Sequence, residues 1–255
     1  MIVSQKRRYL FIENPLTGSW AIHRELCDYY DGMPILHKHA TFDEFKQEVG
    51  SEAADYFVFA TVRHPLDKIV SGYVKLKTNH KGAFSGEKSI DRLYADYVDL
   101  RKFKFVQEED ATFADYFRAF HRQPYGDMLD LSAGKLDFVI RFEHLQEDFA
   151  EVLQRLAIEQ VRPVPVRNKT PGKKRDWRTY YTPDIIDQAM RVAGPYMSKW
   201  QYEPPAEWGN YKVSRLQNGL YQLHLALRRF YNSQFRYNNR SYARMVRSLR
   251  ARLLG

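Results

Sequence analysis

Arg63 and Ser71 are the pair whose types and spacing point most directly to chemistry. Arg63 follows the apolar run Tyr56-Phe57-Val58-Phe59-Ala60, of the kind that forms a buried strand. Beyond it, apolar residues at 66, 69, 70, 73 and 76 have helical spacing. Pro65 suits the first turn of that helix, where no N–H is needed. The spacing therefore puts Arg63 at the carboxyl end of a strand and Ser71 about two turns into the next helix. In an open α/β sheet that crevice is where ligands bind. A guanidinium and a hydroxyl aimed at one point there would take a phosphate. The structural alternatives are a strand-end salt bridge for Arg63 and a small packing residue at Ser71.

A second anion-binding feature lies earlier. Residues 8–14 read as a strand, Pro15-Leu16-Thr17-Gly18-Ser19 as a turn, and residues 20–30 as a helix. Backbone N–H groups at Gly18, Ser19 and Trp20 would then point at an anion near the helix N-terminus. The pattern Gly-x-x-x-x-Gly-Lys-Ser/Thr is absent, which excludes an ordinary P-loop nucleotide triphosphatase. Taken alone, Thr-Gly-Ser after a strand is more often just a cap.

The elements that must hold these residues alternate. A short second strand is expected at 33–38. Thr41 with Glu44 three residues on makes a capping box for the next helix. A third strand falls at 55–62 and its helix at 65–77. Residues 78–110 are polar and punctuated by Gly, and read as an insertion or lid. A helix follows at 112–121, a strand at 136–142 and a helix to 156. Residues 162–178 form a basic loop with three prolines, and Thr182-Pro183 starts a helix to about 192. Strands alternating with helices imply a mostly parallel sheet.

Composition sets bounds. The 255 residues suit one α/β domain over 1–207 with a helical extension over 208–255. The single Cys27 excludes internal disulfides and reads as a buried thiol. Residues 1–12 do not make a signal peptide, and no apolar run approaches a membrane span, so a soluble cytoplasmic protein is expected. The net charge of +9 is concentrated at one end. After Glu207 there is no acidic residue, while two helical stripes, one from Val213 to Phe230 and one from Tyr242 to Leu253, carry many arginines. The first stripe has the three–four steps of a heptad seam, which leaves a homodimer open. Both stripes are expected to pack on the main domain. Their basic faces could meet anionic glycan or a membrane surface, with peripheral attachment. No nucleic-acid motif accompanies them.

The order of the pieces is more specific than any one of them. A Pro-x-Thr-Gly-Ser turn comes first. Then comes Phe59-x-x-Val62-Arg63-x-Pro65-x-Asp67-x-x-x-Ser71-x-Tyr73, and later Arg141-Phe142-Glu143-His144-Leu145 with Asp148-Phe149. Over roughly residues 8–203 this order resembles the sulfotransferases that use 3′-phosphoadenosine-5′-phosphosulfate (PAPS). The likeness is to their carbohydrate branch, which includes the heparan sulfate 2-O-sulfotransferases.

The resemblance implies a P-loop-NTPase-like three-layer α/β fold with a central parallel sheet. It implies PAPS as sulfuryl donor, PAP as product, no metal, and a carbohydrate-type hydroxyl as acceptor. Arg63 and Ser71 match the pair on the 3′-phosphate. Residues 15–20, with Thr17, Gly18, Ser19 and Trp20, match the 5′-phosphosulfate loop. Residues 167–174, with Lys169, Thr170 and Lys173, resemble the basic loop that folds over the nucleotide, though a solvated loop would read the same. His37-Lys38-His39 resembles the His-x-His that supplies the base, and position at the cleft favours His39. An acceptor hydroxyl loses its proton as it attacks sulfur, a task suited to a neutral imidazole.

One departure matters. The family carries Lys directly after the loop proline, where this chain has Leu16, and Trp20 replaces a family Thr. Candidates for the missing charge are Lys38, Arg24 or a Lys of 169–174. Trp20 could stack on adenine or anchor its helix. Two further functions compete. A PAP- or anion-binding protein on the same fold would tolerate the loss of the loop Lys. A kinase-like phosphoryl transferase is disfavoured by the missing Walker Lys and the lack of an evident Mg²⁺-binding carboxylate.

Overall fold

The apolar run before Arg63 forms an interior strand of the sheet that positions the loop and the histidines. The computed structural model describes residues 1–82, 84, 95–166, 170–174 and 176–236. Its five strands are β1 Ile2–Ser4, β2 Tyr9–Ile12, β3 Met33–Pro34, β4 Phe57–Val62 and β5 Phe138–Arg141. They lie in the order β3-β1-β2-β4-β5. The helices are α1 Ser19–Tyr29, α2 Phe42–Val49, α3 Pro65–Lys77, α4 Ala95–Glu108, α5 Phe113–Phe120, α6 Leu145–Arg155, α7 Pro183–Lys199 and α8 Arg215–Tyr231.

β4 pairs parallel with β2 on one side and β5 on the other, in the registers Leu10↔Val58 and Thr61↔Ile140. Strands inside a parallel array are covered on both faces and read as unbroken apolar runs. That is why Val58-Phe59-Ala60-Thr61-Val62 is buried throughout. The other half of the sheet is antiparallel, with β1 pairing against both β2 and β3. This edge departs from the expectation. β1 has three residues, too few to show alternation. β3 stops at Pro34, whose missing N–H suits it to an edge, so residues 35–39 are loop and not strand.

The chain divides into two compact units, residues 1–64 with 126–169 and residues 65–125 with 170–255. The first holds the whole sheet. Ile22 and Leu26 of α1, Phe11, Phe59 and Ile140 of the sheet, and Phe149 and Val152 of α6 share one core. Thr41 caps α2 as expected, its hydroxyl taking the Glu44 N–H while the Glu44 carboxylate accepts from Thr41 N at 2.8 Å. Cys27 is half-buried, not fully buried, and burial pushes its thiol pKa up.

The second unit is built from helices among its described residues. Leu66 and Val70 of α3 pack with Phe113 and Phe117 of α5, Tyr181, and Ile185 and Ala189 of α7. Residues 78–110 are not simply a lid. Their described second half is α4, whose Val106 is in this core with Phe103 and Phe105 packed against it. α7 runs past the expected end near 192, carrying Pro195 within it. The stripe over 242–253 lies outside the described residues.

Candidate functional site

In the first unit the loop after β2 folds back on its own beginning. Asn14 Nδ2 donates to the Thr61 carbonyl of β4 at 3.1 Å. The Asn14 carbonyl accepts from Thr17 Oγ1 at 2.7 Å and from Ser19 Oγ at 2.9 Å. Thr17 also meets the Thr61 hydroxyl. Both loop hydroxyls are therefore internal braces. What the loop offers outward is backbone.

Two residues make this turn possible. Leu16 is left-handed at φ 62° and Gly18 at φ 75°. For Leu16 that conformation costs about 1–2 kcal/mol. For Gly18 there is a steric demand as well. A Cβ there would stand 2.9 Å from Leu145 Cδ1 and 3.1 Å from Phe142 Cδ2. Gly18→Ala is expected to destabilise the protein by about 1–3 kcal/mol. Trimming Leu145, whose Cδ1 is the nearest atom, relieves the steric part and leaves the backbone part. In denaturant melts Gly18→Ala should cost less in a Leu145→Ala background than in the wild type, and equal losses in both would remove the steric argument.

Gly18 is the N-cap of α1, and no side chain caps that end. The first turn carries no acidic residue. The helix N-terminus thus keeps its partial positive charge and its outward N–H groups, the ordinary equipment for an anion. Arg63 meets the loop from the end of β4. Its Nη1 donates to the Leu16 carbonyl at 2.9 Å, and its guanidinium lies 4.1 Å from the centre of the Phe142 ring. Arg63 is only 8% exposed. The segment around Phe142 is fixed to the strand end too, because Glu143 Oε1 accepts from His64 N at 2.9 Å. That Phe142 serves as a platform for Arg63 was not readable from the sequence, although the segment containing it was.

Lys38 stands beside the same helix end. Its Nζ lies 4.7 Å from the centre of the Trp20 ring, and that ring is 4.7 Å from His23. Trp20 is partly exposed and is no core anchor. Arg24 pairs with Asp28 one turn along α1 at 3.2 Å, turning away from the helix start.

The two histidines of the 37–39 segment have different surroundings. His37 Nε2 lies 2.8 Å from Glu44 Oε1, on the carboxylate that also completes the α2 capping box. His39 Nδ1 lies 2.9 Å from the Glu13 carbonyl, at the foot of the loop. A carbonyl oxygen only accepts, so Nδ1 carries the proton and Nε2 keeps its lone pair. Burial, the largest influence, pulls the His39 pKa below the ordinary imidazole value, partly offset by the bond to Glu13.

The second unit holds the remaining residues. Ser71 lies on α3, fully buried, and its Oγ has no hydrogen-bond partner among the described residues. A buried hydroxyl left this way costs about 1–3 kcal/mol, so it calls for an explanation. Asp67, one turn earlier on α3, pairs with Lys173 of the basic loop. Thr170 is half-buried, and Lys169 lies outside the described residues. Among the described residues no group of three or more His, Cys, Asp or Glu is placed to hold a metal ion.

A sheet with parallel central strands, an uncapped helix start at its edge and a buried arginine at the neighbouring strand end is equipped to bind an anion, but a fold does not by itself set the reaction. The match to known families is narrower. A sequence model described as the sulfotransferase family covers residues 2–193, and the chain belongs to that family. No curated protein and no solved structure matches it. Membership sets the general chemistry as sulfuryl transfer from a donor to a hydroxyl-bearing acceptor.

Proposed function

We propose that this chain moves the sulfuryl group of PAPS to a hydroxyl of a carbohydrate-type acceptor, with His39 as the general base. The observation that carries the reading is the bond from His39 Nδ1 to the Glu13 carbonyl, because it fixes the tautomer a base needs. As the acceptor oxygen bonds to sulfur, its proton passes to His39 Nε2. The bond between sulfur and the leaving phosphate oxygen breaks, and the electron pair stays on that oxygen. The N–H groups at the start of α1 would stabilise the charge gathering there. Arg63 and Ser71 are assigned together to the 3′-phosphate on the resemblance; each taken within its own unit, the charge of Arg63 and the orphaned hydroxyl of Ser71 suit that role. The basic loop with Lys169, Thr170 and Lys173 is assigned to the nucleotide on the resemblance alone.

The cation that the family places after the loop proline is supplied here by Lys38. The support is its position over Trp20, in the first turn of α1, whereas Arg24 and Lys173 each pair with a carboxylate. Lys38→Ala is expected to lower kcat at least about tenfold, equal to ~1.4 kcal/mol of barrier. Leu16→Lys should restore most of that loss in the Lys38→Ala background and add nothing to the wild type. Position 16 tolerates the change because Lys and Leu meet the same left-handed backbone cost. A tenfold or larger gain from Leu16→Lys alone would mean the natural site lacks the charge. The chain would then be a PAP-binding protein or a weak catalyst, the reading that Leu16 favours. Transfer of labelled sulfate from PAPS to a glycan panel, run beside PAP calorimetry, separates the two. PAP binding without any product would overturn the catalytic reading.

A further inference from the structure

α8 turns an apolar ridge away from the body of its own unit. Leu216, Leu220, Leu223, Leu227 and Phe230 are 50–73% exposed. Their steps of four and three residues keep all five on one narrow stripe. The opposite side does the packing. Tyr221 and Leu225 are buried, and His224 Nδ1 lies 3.0 Å from the Pro124 carbonyl. The heptad-like stripe expected to pack on the main domain therefore does not do so. The residues that anchor α8 are a Tyr, a His and a Leu from its other face.

The stretch of sequence that carries the ridge has charge of one sign. No acidic residue follows Glu207, while Lys212, Arg215, Arg228, Arg229 and Arg236 accompany α8 and five more arginines follow. On α8 itself Arg215 flanks the apolar stripe, while Arg228 and Arg229 lie further round, toward the packed face. Among the described residues no helix is long and apolar enough to cross a membrane.

We propose that this ridge docks on an anionic membrane surface. α8 lies in the plane of the interface, with the four leucines and Phe230 set among the upper acyl chains and Lys212 and Arg215, at its start, against the headgroups. A second copy of the chain is the competing occupant. It fits the seam but not the charge, since pairing would bring together two segments whose own sequences hold basic residues and no Asp or Glu. An acidic lipid surface complements the charge and takes up the apolar stripe at once.

Flotation of the full chain tests this with vesicles of phosphatidylcholine alone and of three parts phosphatidylcholine to one part phosphatidylserine. The chain should float with the phosphatidylserine vesicles, at least about tenfold more than with phosphatidylcholine alone, and less as salt is raised. Leu220→Ser/Leu223→Ser/Leu227→Ser should lose that flotation. The triple variant leaves the charge unchanged and touches only exposed side chains, so its thermal midpoint should stay near that of the wild type. Failure of the wild type to float overturns the proposal. So does a triple variant that floats equally well, because the basic residues would then act without the ridge. A dimer in analytical ultracentrifugation that the same variant dissociates also overturns it, and assigns the ridge to self-association.

Discussion

His39→Ala is expected to lower turnover by about 10²–10⁴-fold, the usual contribution of a positioned proton acceptor. PAP affinity should change little, since the base acts on the acceptor hydroxyl and not on the nucleotide. Steady-state rates with labelled PAPS, with calorimetry on the same variant, give both quantities. The pH profile carries the same assignment. The neutral imidazole is the working form, and burial favours that form by lowering the His39 pKa from 6.5. The acid limb of the profile should therefore be centred below 6.5. An acid limb centred above 6.5, absent in His39→Ala, would contradict the burial argument. His37→Ala should be much milder, because that ring faces Glu44. If His37→Ala is the inactive variant and His39→Ala works, the roles are reversed.

Arg63→Ala is expected to weaken PAP binding by about 1.5–3 kcal/mol, the scale of a charge-assisted hydrogen bond lost to a phosphate. Its second effect follows from the bond to the Leu16 carbonyl and the stacking on Phe142. Without the guanidinium the left-handed loop loses its brace, so stability should fall by about 1–2 kcal/mol as well. Arg63→Lys separates the two, keeping the charge but not the planar group that stacks. Calorimetry should place Lys between Arg and Ala for PAP, while denaturant melts should place it close to Ala. Unchanged affinity in Arg63→Ala would remove the 3′-phosphate assignment.

The parts of the fold that were legible in the sequence are those with a strong local signal. α3 matches its expected bounds because Pro65 marks its start and the apolar spacing runs without interruption. α2 follows its capping box, and β4 follows its unbroken apolar run. β1 and the antiparallel edge were not legible, since three residues carry no period and the pairing partner is chosen by the rest of the sheet. α4 was obscured by a polar, Gly-punctuated stretch whose later residues nonetheless bury Val106.

The site divides in the same way. At Arg63, Ser71, Gly18 and His39 the sequence marks a charge, a small hydroxyl, a missing side chain and an imidazole, which limit what each position can do without assigning it a role. Their bonds could not be read. Thr17 and Ser19 look like phosphate ligands in the sequence, yet both hydroxyls turn inward to the Asn14 carbonyl. The left-handed Leu16 has no sequence signal, since such a backbone is ordinarily given to Gly. Which ring nitrogen of His39 keeps its lone pair depends on the Glu13 carbonyl, a group brought near only by the fold.

The connection between β4 and β5 bears on how the chain reaches this structure. Phe59 pairs with Phe138, and residues 65–125 between them belong to the other unit. During synthesis β4 emerges with one edge open and waits for a strand that has not yet been made. Closing so long a loop is slow, and an unpaired edge of Phe57-Val58-Phe59-Ala60-Thr61-Val62 is a template for other chains. A product ending at residue 125 would expose that edge permanently and should be recovered as aggregate. Residues 126–169 therefore protect the solubility of the nascent protein as well as completing its sheet.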